Sequence, residues 1–250
     1  MHSPKQYSTN AINDIKVINA GDDFYPKKVS ELLRSKAPKC LHYIGNLSLL
    51  EMKGVGLCGS RKASPKGLET AADCASQIAA EKVVVISGYA AGVDMMAHAT
   101  ALQNGGYTIF VLPEGINNFK IKPELRSIWD WSRVLVLSQY DPQATWQAFR
   151  AMERNLLIIA LSDAMVVIEA GITGGTISAG KSTLKLGRPL YVASYDNEYM
   201  SLNATGNIQL LKDGAHKLCK SNLTKKAKLS KLLGDIMNNY QQYDLQKSLL

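Results

Sequence analysis

A glycine-rich turn with two cations, residues 59–62, is the part of this sequence best equipped to bind an anion. It reads Gly59-Ser60-Arg61-Lys62 and follows a short apolar run over residues 55–58. Ser64 and Pro65 come next, and these residue types favour the N-cap and the first position of a helix. Helix N-terminal N–H groups and a guanidinium both attract phosphate oxygens. The same pattern also fits an ordinary strand-to-helix turn with solvated charges, because one glycine-rich turn is common.

Two further glycine-rich loops follow apolar runs, one starting at Ser87-Gly88 and ending at Gly92, the other covering residues 171–180. The carboxyl ends of parallel strands lie at one edge of a sheet, so we expect the three loops to meet there. Glycines let a backbone approach a ligand closely, and successive N–H groups bind phosphate. The sequence therefore predicts an anion pocket. The candidate residues from these three loops and the helix after them are Gly59, Ser60, Arg61, Lys62, Ser87, Gly88, Gly174, Gly175, Thr176 and Lys181.

Residues 175–182 also match the phosphate-loop pattern G-x-x-x-x-G-K-[ST], which would place Lys181 on a nucleotide. The context argues against this interpretation. The preceding strand ends by Glu169, and Ile177 and Ala179 fit the following helix. A nucleoside triphosphatase is therefore the weakest of the functions considered.

The elements that must position these loops alternate between strand and helix along the chain. Such alternation predicts an α/β fold, with a mostly parallel sheet and helices on both faces. The predicted strands cover residues 41–44, 55–58, 83–86, 108–112, 134–138, 165–168 and 190–193. Helices are expected over 123–131 and over 144–161, the longest. The side chains expected on the buried face of the longest helix are Trp146, Phe149, Met152, Leu156, Leu157 and Ala160.

Composition narrows the class of protein. The net charge of +8 and a pI near 9.2 are compatible with nucleic acid or nucleotide ligands. Cysteines and histidines lack metal-ligand spacing, so we expect no metal and no cofactor. Neither a signal peptide nor a membrane-length apolar run is visible, so cytoplasm is the expected location. Three parts are predicted: an N-terminal arm over 1–24, the α/β domain over 25–220 and a basic helical tail over 221–250.

The order of these motifs resembles the DprA/Smf DNA-processing family. The resemblance is carried by Gly59-Ser60-Arg61, by the segment from Ser87 to Asp94, and by Arg154-Asn155 before an apolar helix end, with further matches between about residues 25 and 214. Family membership implies an extended Rossmann-like domain, often dimeric. It also implies a protein that binds single-stranded DNA without turnover and helps to load a strand-exchange recombinase.

The resemblance further implies that the turn at Arg61 holds a backbone phosphate and that Arg154 and Asn155 line the same site. This sequence departs from the family pattern in having Ala91 where arginine is usual and Leu156 where a basic residue is usual. These departures reduce the charge available to DNA. A sensor for a free nucleotide, or for a signal derived from one, is therefore the alternative use of the same pocket.

Overall fold

The computed structural model describes residues 15–195 and 204–247. The strands are β1 (Lys16–Asn19), β2 (Cys40–Gly45), β3 (Gly54–Cys58), β4 (Val84–Ser87), β5 (Thr108–Val111), β6 (Val134–Ser138), β7 (Ala164–Val167), β8 (Leu190–Ala193) and β9 (His216–Leu218). The α-helices are α1 (Lys27–Leu33), α2 (Pro65–Ala80), α3 (Val93–Gln103), α4 (Ala148–Leu161), α5 (Gly175–Lys185), α6 (Thr205–Lys212) and α7 (Ser230–Lys247).

The strands form one sheet in the order β1-β2-β6-β5-β4-β3-β7-β8-β9. Neighbouring strands from β6 to β9 along this order are parallel, whereas β2 pairs antiparallel with β6 and with the edge strand β1. The predicted α/β fold with a mostly parallel sheet is confirmed.

The six central strands of the sheet, β3 to β8, are buried on both faces because they are apolar at nearly every position. In β4, Val84 and Ile86 join a core cluster with side chains of α1, α4, α5 and α6. The alternate residues Val83 and Val85 join a second cluster with α2, α3 and α7. Successive side chains of a strand point to opposite faces, so one apolar run serves two helical layers.

The helix predicted over residues 123–131 is wrong. Only a short 3-10 turn forms, over Pro123–Leu125, and the rest of the segment is irregular. Leu125 and Trp129 are buried in a third cluster against β5 and β6, so the segment covers the sheet without a helix. Asp130 accepts hydrogen bonds from the Ser132 N–H and hydroxyl, and these local bonds favour a turn before β6.

The buried face predicted for the longest helix is wrong in its first half. Trp146, Phe149 and Met152 are 48%, 59% and 50% exposed. Leu157 and Ala160 are buried as expected. The inward face of the first turns is formed instead by Ala151 and Arg154, so the apolar residues there face solvent.

Part of the N-terminal arm belongs to the sheet. Residues 16–19 form β1, which pairs with β2 and buries Ile18, and residues 1–14 lie outside the described residues. In the tail, Leu229, Leu232 and Ile236 pack in the second core cluster. The helical tail begins at Ser230, and the residues before it are irregular up to β9.

Candidate functional site

The strand order changes direction at β3, which makes the carboxyl end of this strand the natural place for a ligand. The chain moves from β3 to β4 on one side, and returns later to β7 on the other. The loops after β3 and β7 therefore leave the sheet in different directions and open a crevice. Loop A denotes residues 59–64, loop B residues 87–93 and loop C residues 168–175.

Loop A is held by its own hydrogen bonds and by a buried acid from loop C. The Ser64 hydroxyl accepts from the Gly67 N–H at 3.0 Å and so caps α2, as predicted. That hydroxyl donates to Glu169 at 2.5 Å, and the Ser64 N–H donates to the other Glu169 carboxylate oxygen at 2.9 Å. The Ser60 hydroxyl accepts from the Lys62 N–H at 3.1 Å. The turn is therefore preorganised.

Arg61, like Lys62, is an exposed charged residue of loop A. Its guanidinium carbon lies 5.8 Å from the ring centre of Trp146, which is also exposed. The ion pairs found among the described residues do not include Arg61. A guanidinium of loop A thus lies beside an exposed aromatic ring.

Loop B crosses loop A in direct contact. Gly92 has a φ of +76°, and a side-chain carbon there would stand 2.3 Å from the carbonyl oxygen of Ser60. The Val93 N–H donates to the same oxygen at 3.3 Å. Only glycine combines this left-handed backbone with so close an approach.

The side chains of Ser87, the first residue of loop B, and of Arg154 are buried and do not reach the surface of the loop. The Ser87 hydroxyl donates to the Leu57 carbonyl at 2.6 Å, which ties β4 to β3. Arg154, which is 5% exposed, donates from Nη1 to the Val111 carbonyl at 2.6 Å. Arg154 Nη1 and Asp94 Oδ2 both crowd the point where a side-chain carbon of Gly88 would be, at 2.1 and 2.5 Å.

Asp94 and Arg154 are buried side chains of opposite charge that both lie beneath Gly88 and influence each other's pKa. Burial raises the pKa of the Asp94 carboxyl, and the charge of Arg154 opposes this shift. Burial likewise lowers the pKa of Arg154, against the charge of Asp94. Each charge therefore partly compensates the desolvation of the other.

His98 supports loop B from below. Its Nε2 lies 2.6 Å from the Gly88 carbonyl oxygen, so it is the nitrogen that carries the proton. Burial lowers the pKa of His98 to about 3, so the ring is neutral at ordinary pH. On the other side of the loop, Lys122 donates from Nζ to the Tyr89 carbonyl at 3.0 Å. Loop B is therefore fixed from two directions.

Loop C meets loop A through Thr176, the second residue of α5. The Thr176 hydroxyl donates to the Gly59 carbonyl at 3.1 Å. Gly174, with a φ of +104°, precedes the helix and provides no side-chain cap. Asn155 reaches the Gly175 carbonyl at 3.5 Å from α4. The uncapped N-terminus of α5 therefore lies beside loop A.

The structure brings most of the predicted residues together. Those at the meeting point of the loops are Gly59, Ser60, Arg61, Lys62, Gly88, Asn155, Gly174, Gly175 and Thr176. Lys181 is exposed on the second turn of α5, away from the helix N-terminus. Residues 175–182 are helical throughout and do not form a phosphate loop.

The apolar rim of the site is a feature that the sequence did not predict. Phe149 and Met152 project from the first turns of α4, Trp146 lies just before this helix, and Ile172 of loop C is 64% exposed. Arg150 lies among the first three, its guanidinium carbon 5.6 Å from the Phe149 ring centre. The aromatic residues at 146 and 149 were visible in the sequence, but their helical spacing indicated burial.

Residues 15–195 and 204–247 contain no group of three or more histidine, cysteine, aspartate or glutamate side chains that could hold a metal ion. No helix of this part of the chain has both the length and the apolar character needed to cross a membrane.

Comparisons with known proteins agree with this architecture. The chain is 36% identical to the DNA processing protein DprA of Streptococcus pneumoniae over 172 residues, which cover 68% of this chain and 60% of that protein. Protein Smf of Borreliella burgdorferi is 28% identical over 186 residues, 72% of this chain and 58% of the relative. The chain thus spans about 60% of the length of these two curated relatives.

Solved structures give the same result. The Streptococcus pneumoniae protein superposes with a TM-score of 0.71 at 29% identity, covering 83% of this chain and 72% of that one. DNA processing protein A of Helicobacter pylori superposes with a TM-score of 0.73 at 23% identity, covering 90% and 97%. The family model described as DNA recombination-mediator protein A matches residues 16–228. The chain belongs to the family of DNA recombination-mediator protein A.

Proposed function

We propose that this protein binds single-stranded DNA at the meeting point of loops A, B and C, as a binding protein without turnover. The observation that carries the proposal is the exposed guanidinium of Arg61, which lies beside the exposed Trp146 ring and outside the ion pairs found in residues 15–195 and 204–247. A relative supports the proposal, because the solved structure of DNA processing protein A from Helicobacter pylori is described as showing how that protein binds single-stranded DNA.

A phosphate fits the electrostatics of the site. The first N–H groups of α5 point toward loop A without a side-chain cap, and helix N-termini favour anions. Arg61 adds a charge-assisted contact. Arg154 is buried, so we assign it and Asp94 a positioning role beneath Gly88.

The apolar rim favours a single strand over a free nucleotide. Trp146 lies just before α4 and Phe149 lies in its first turn, and both rings are exposed, so Arg61 contacts only one part of this aromatic surface. Unpaired bases stack on such rings whatever their sequence. One nucleotide would occupy only part of this surface.

The test is a salt titration of binding to oligothymidylate by fluorescence anisotropy. Arg61→Ala is expected to lower the slope of log K against log salt by about 0.7, the value for one phosphate contact on a single strand. Lys185→Ala removes an exposed charge at the other end of α5 and serves as the matched control. An unchanged slope in Arg61→Ala would show that the phosphate lies elsewhere.

Calorimetry distinguishes the nucleotide sensor from the DNA-binding protein. Titrations with mononucleotides and with a tetranucleotide use the same protein and buffer. Binding of the mononucleotide as tight as that of the tetranucleotide would favour the sensor, because the rim would then contribute nothing.

Membership of the family also leads us to propose that bound DNA passes to a strand-exchange recombinase, and that the protein acts as a homodimer in the cytoplasm. Light scattering tests the dimer. Co-sedimentation of recombinase with DNA, with and without this protein, tests the transfer.

A further inference from the structure

Residues 219–231 carry five lysines and no acidic residue. We name this segment the basic strap. It leaves the sheet at the end of β9 and passes over the outer side of α2 before α7 begins. Neither the candidate site nor the comparisons explain why so much charge of one sign is placed there.

The strap is fastened to one stripe of α2. Lys220 forms an ion pair with Glu69 at 2.9 Å. The Ala227 N–H donates to Asp73 at 2.5 Å, and the Gln77 side-chain amide donates to the Ala227 carbonyl at 3.0 Å. The three α2 residues recur every fourth position and therefore share one face of the helix.

The strap has a defined shape of its own. Ser221 and Lys228 donate backbone N–H groups to the carbonyls of Lys226 and Cys219, at 2.7 and 2.9 Å, and so close a tight turn. Ala227 and Leu229 are buried in the core below it. The lysines are consequently displayed on a fixed backbone, which lowers the conformational entropy lost when they bind a partner.

The exposed side of the strap is cationic. Lys225, Lys226 and Lys228 all face solvent, and Leu223 at the tip is 92% exposed. The ion pairs found in the described ranges include none of these three lysines. Compact ammonium charges on flexible stems suit phosphates in any register, without reading a sequence.

The strap is continuous with the site. Glu69 binds Lys66 at 3.2 Å as well as Lys220, and it lies four residues after Pro65, the first residue of α2. At a rise of about 1.5 Å per residue, that is about 6 Å from the helix start that follows loop A. Two lysines that share Glu69, Lys66 and Lys220, therefore lie between loop A and the exposed lysines of the strap.

We propose that the basic strap is a second contact surface for the phosphodiester backbone of the same single strand, reached only by strands that extend beyond the three loops. This inference rests on the proposed function. It adds a path for the DNA: one phosphate is held at Arg61, and the continuing backbone follows the outer side of α2 to the lysines.

The test compares two lengths of oligothymidylate, a tetranucleotide and one several times longer. The variant is Lys225→Gln with Lys226→Gln. Its matched control is Lys82→Gln with Lys185→Gln. These two lysines are exposed; Lys82 lies just after the end of α2, and Lys185 is the last residue of α5, so both are at the helix ends opposite to the three loops. Binding is measured by anisotropy over a range of salt concentrations.

We expect the strap variant to bind the long oligonucleotide about 25-fold more weakly near 0.1 M salt, with a slope reduced by about 1.4, since each contact contributes about 0.7. Its affinity for the tetranucleotide should equal that of the wild type. Loss of affinity for both lengths, or for neither, would overturn the strap proposal. If the wild type binds neither length, the proposed function itself fails, so the two failures are distinguishable.

Discussion

Arg154→Met tests whether the buried pair beneath loop B determines the stability of the site. Methionine keeps much of the length of arginine but leaves the Asp94 carboxylate buried without its opposite charge. Both residues are more than nine-tenths buried. Removing one partner of such a pair costs about 3–5 kcal/mol in the free energy of unfolding. At roughly 2–4 °C per kcal/mol for a chain of this size, the melting temperature should fall by about 6–20 °C.

The pH dependence identifies the cause. Burial raises the pKa of Asp94 in the folded protein, and without Arg154 this pKa should rise further. A carboxyl group whose pKa is higher in the folded than in the unfolded protein is protonated at low pH and does not destabilise the fold there. It destabilises the folded protein as the pH rises through the folded pKa, because the buried group then carries a charge. The destabilisation by Arg154→Met should therefore be smaller near pH 5 than near pH 8.

A double-mutant cycle measured by urea unfolding completes the test. Asp94→Asn removes the orphaned charge, so Arg154→Met with Asp94→Asn should recover several kcal/mol relative to the sum of the single changes. Arg150→Met, one turn earlier on α4, is the control and should cost less than about 1 kcal/mol. If the two single effects simply add, the pair is not coupled and our account of loop B is incorrect.

Three other predictions follow from the geometry of the site. Gly92→Ala should destabilise the protein and weaken DNA binding more than Gly105→Ala. Both positions have a positive φ, but only at position 92 would the added side-chain carbon lie against the Ser60 carbonyl oxygen. Equal effects of the two substitutions would rule out the contact between loops A and B. In the wild type, the unfolded chain takes up a proton at His98 near pH 6.5, whereas the buried ring has a pKa of about 3 and does not, so the free energy of unfolding should fall by up to about 1.4 kcal/mol per pH unit between pH 7 and 5. His98→Gln should reduce this loss of stability. The urea midpoint measures the effect, and an unchanged dependence of the midpoint on pH would contradict it. Trp146→Ala should weaken the binding of single-stranded DNA, measured by anisotropy, by about 1–3 kcal/mol. The urea midpoint should not change, because the ring is exposed. A loss of folding stability as large as the loss of binding energy would mean that the ring is a packing residue.

The parts of the fold that could be predicted are those where a local sequence pattern is compatible with only one type of structural element. Continuous β-branched runs such as that before Ser87 mark strands covered on both faces, and a glycine-rich turn after each marks the carboxyl edge. The alternation of strands and helices then predicts that the loops share this edge. The structure confirms their contact through Gly92 and Thr176.

The parts that could not be predicted depend on partners distant in the sequence. Arg154 faces inward because Asp94 lies opposite it, and no local pattern on α4 announces that pair. Trp146 looks like a core residue until the end of the sheet is known. β1 is too short and too polar to be identified before its pairing with β2 is seen.

The bond between Thr176 and Gly59 joins residues 117 positions apart in the chain. β3 lies between β4 and β7, so the two halves of the sheet must both dock on it before that bond can form. Contacts of such long range form late in folding, because loop closure must precede them. A nascent or partly folded chain would therefore have no affinity for its ligand, and an oligonucleotide would protect only the finished sheet from proteolysis and heat.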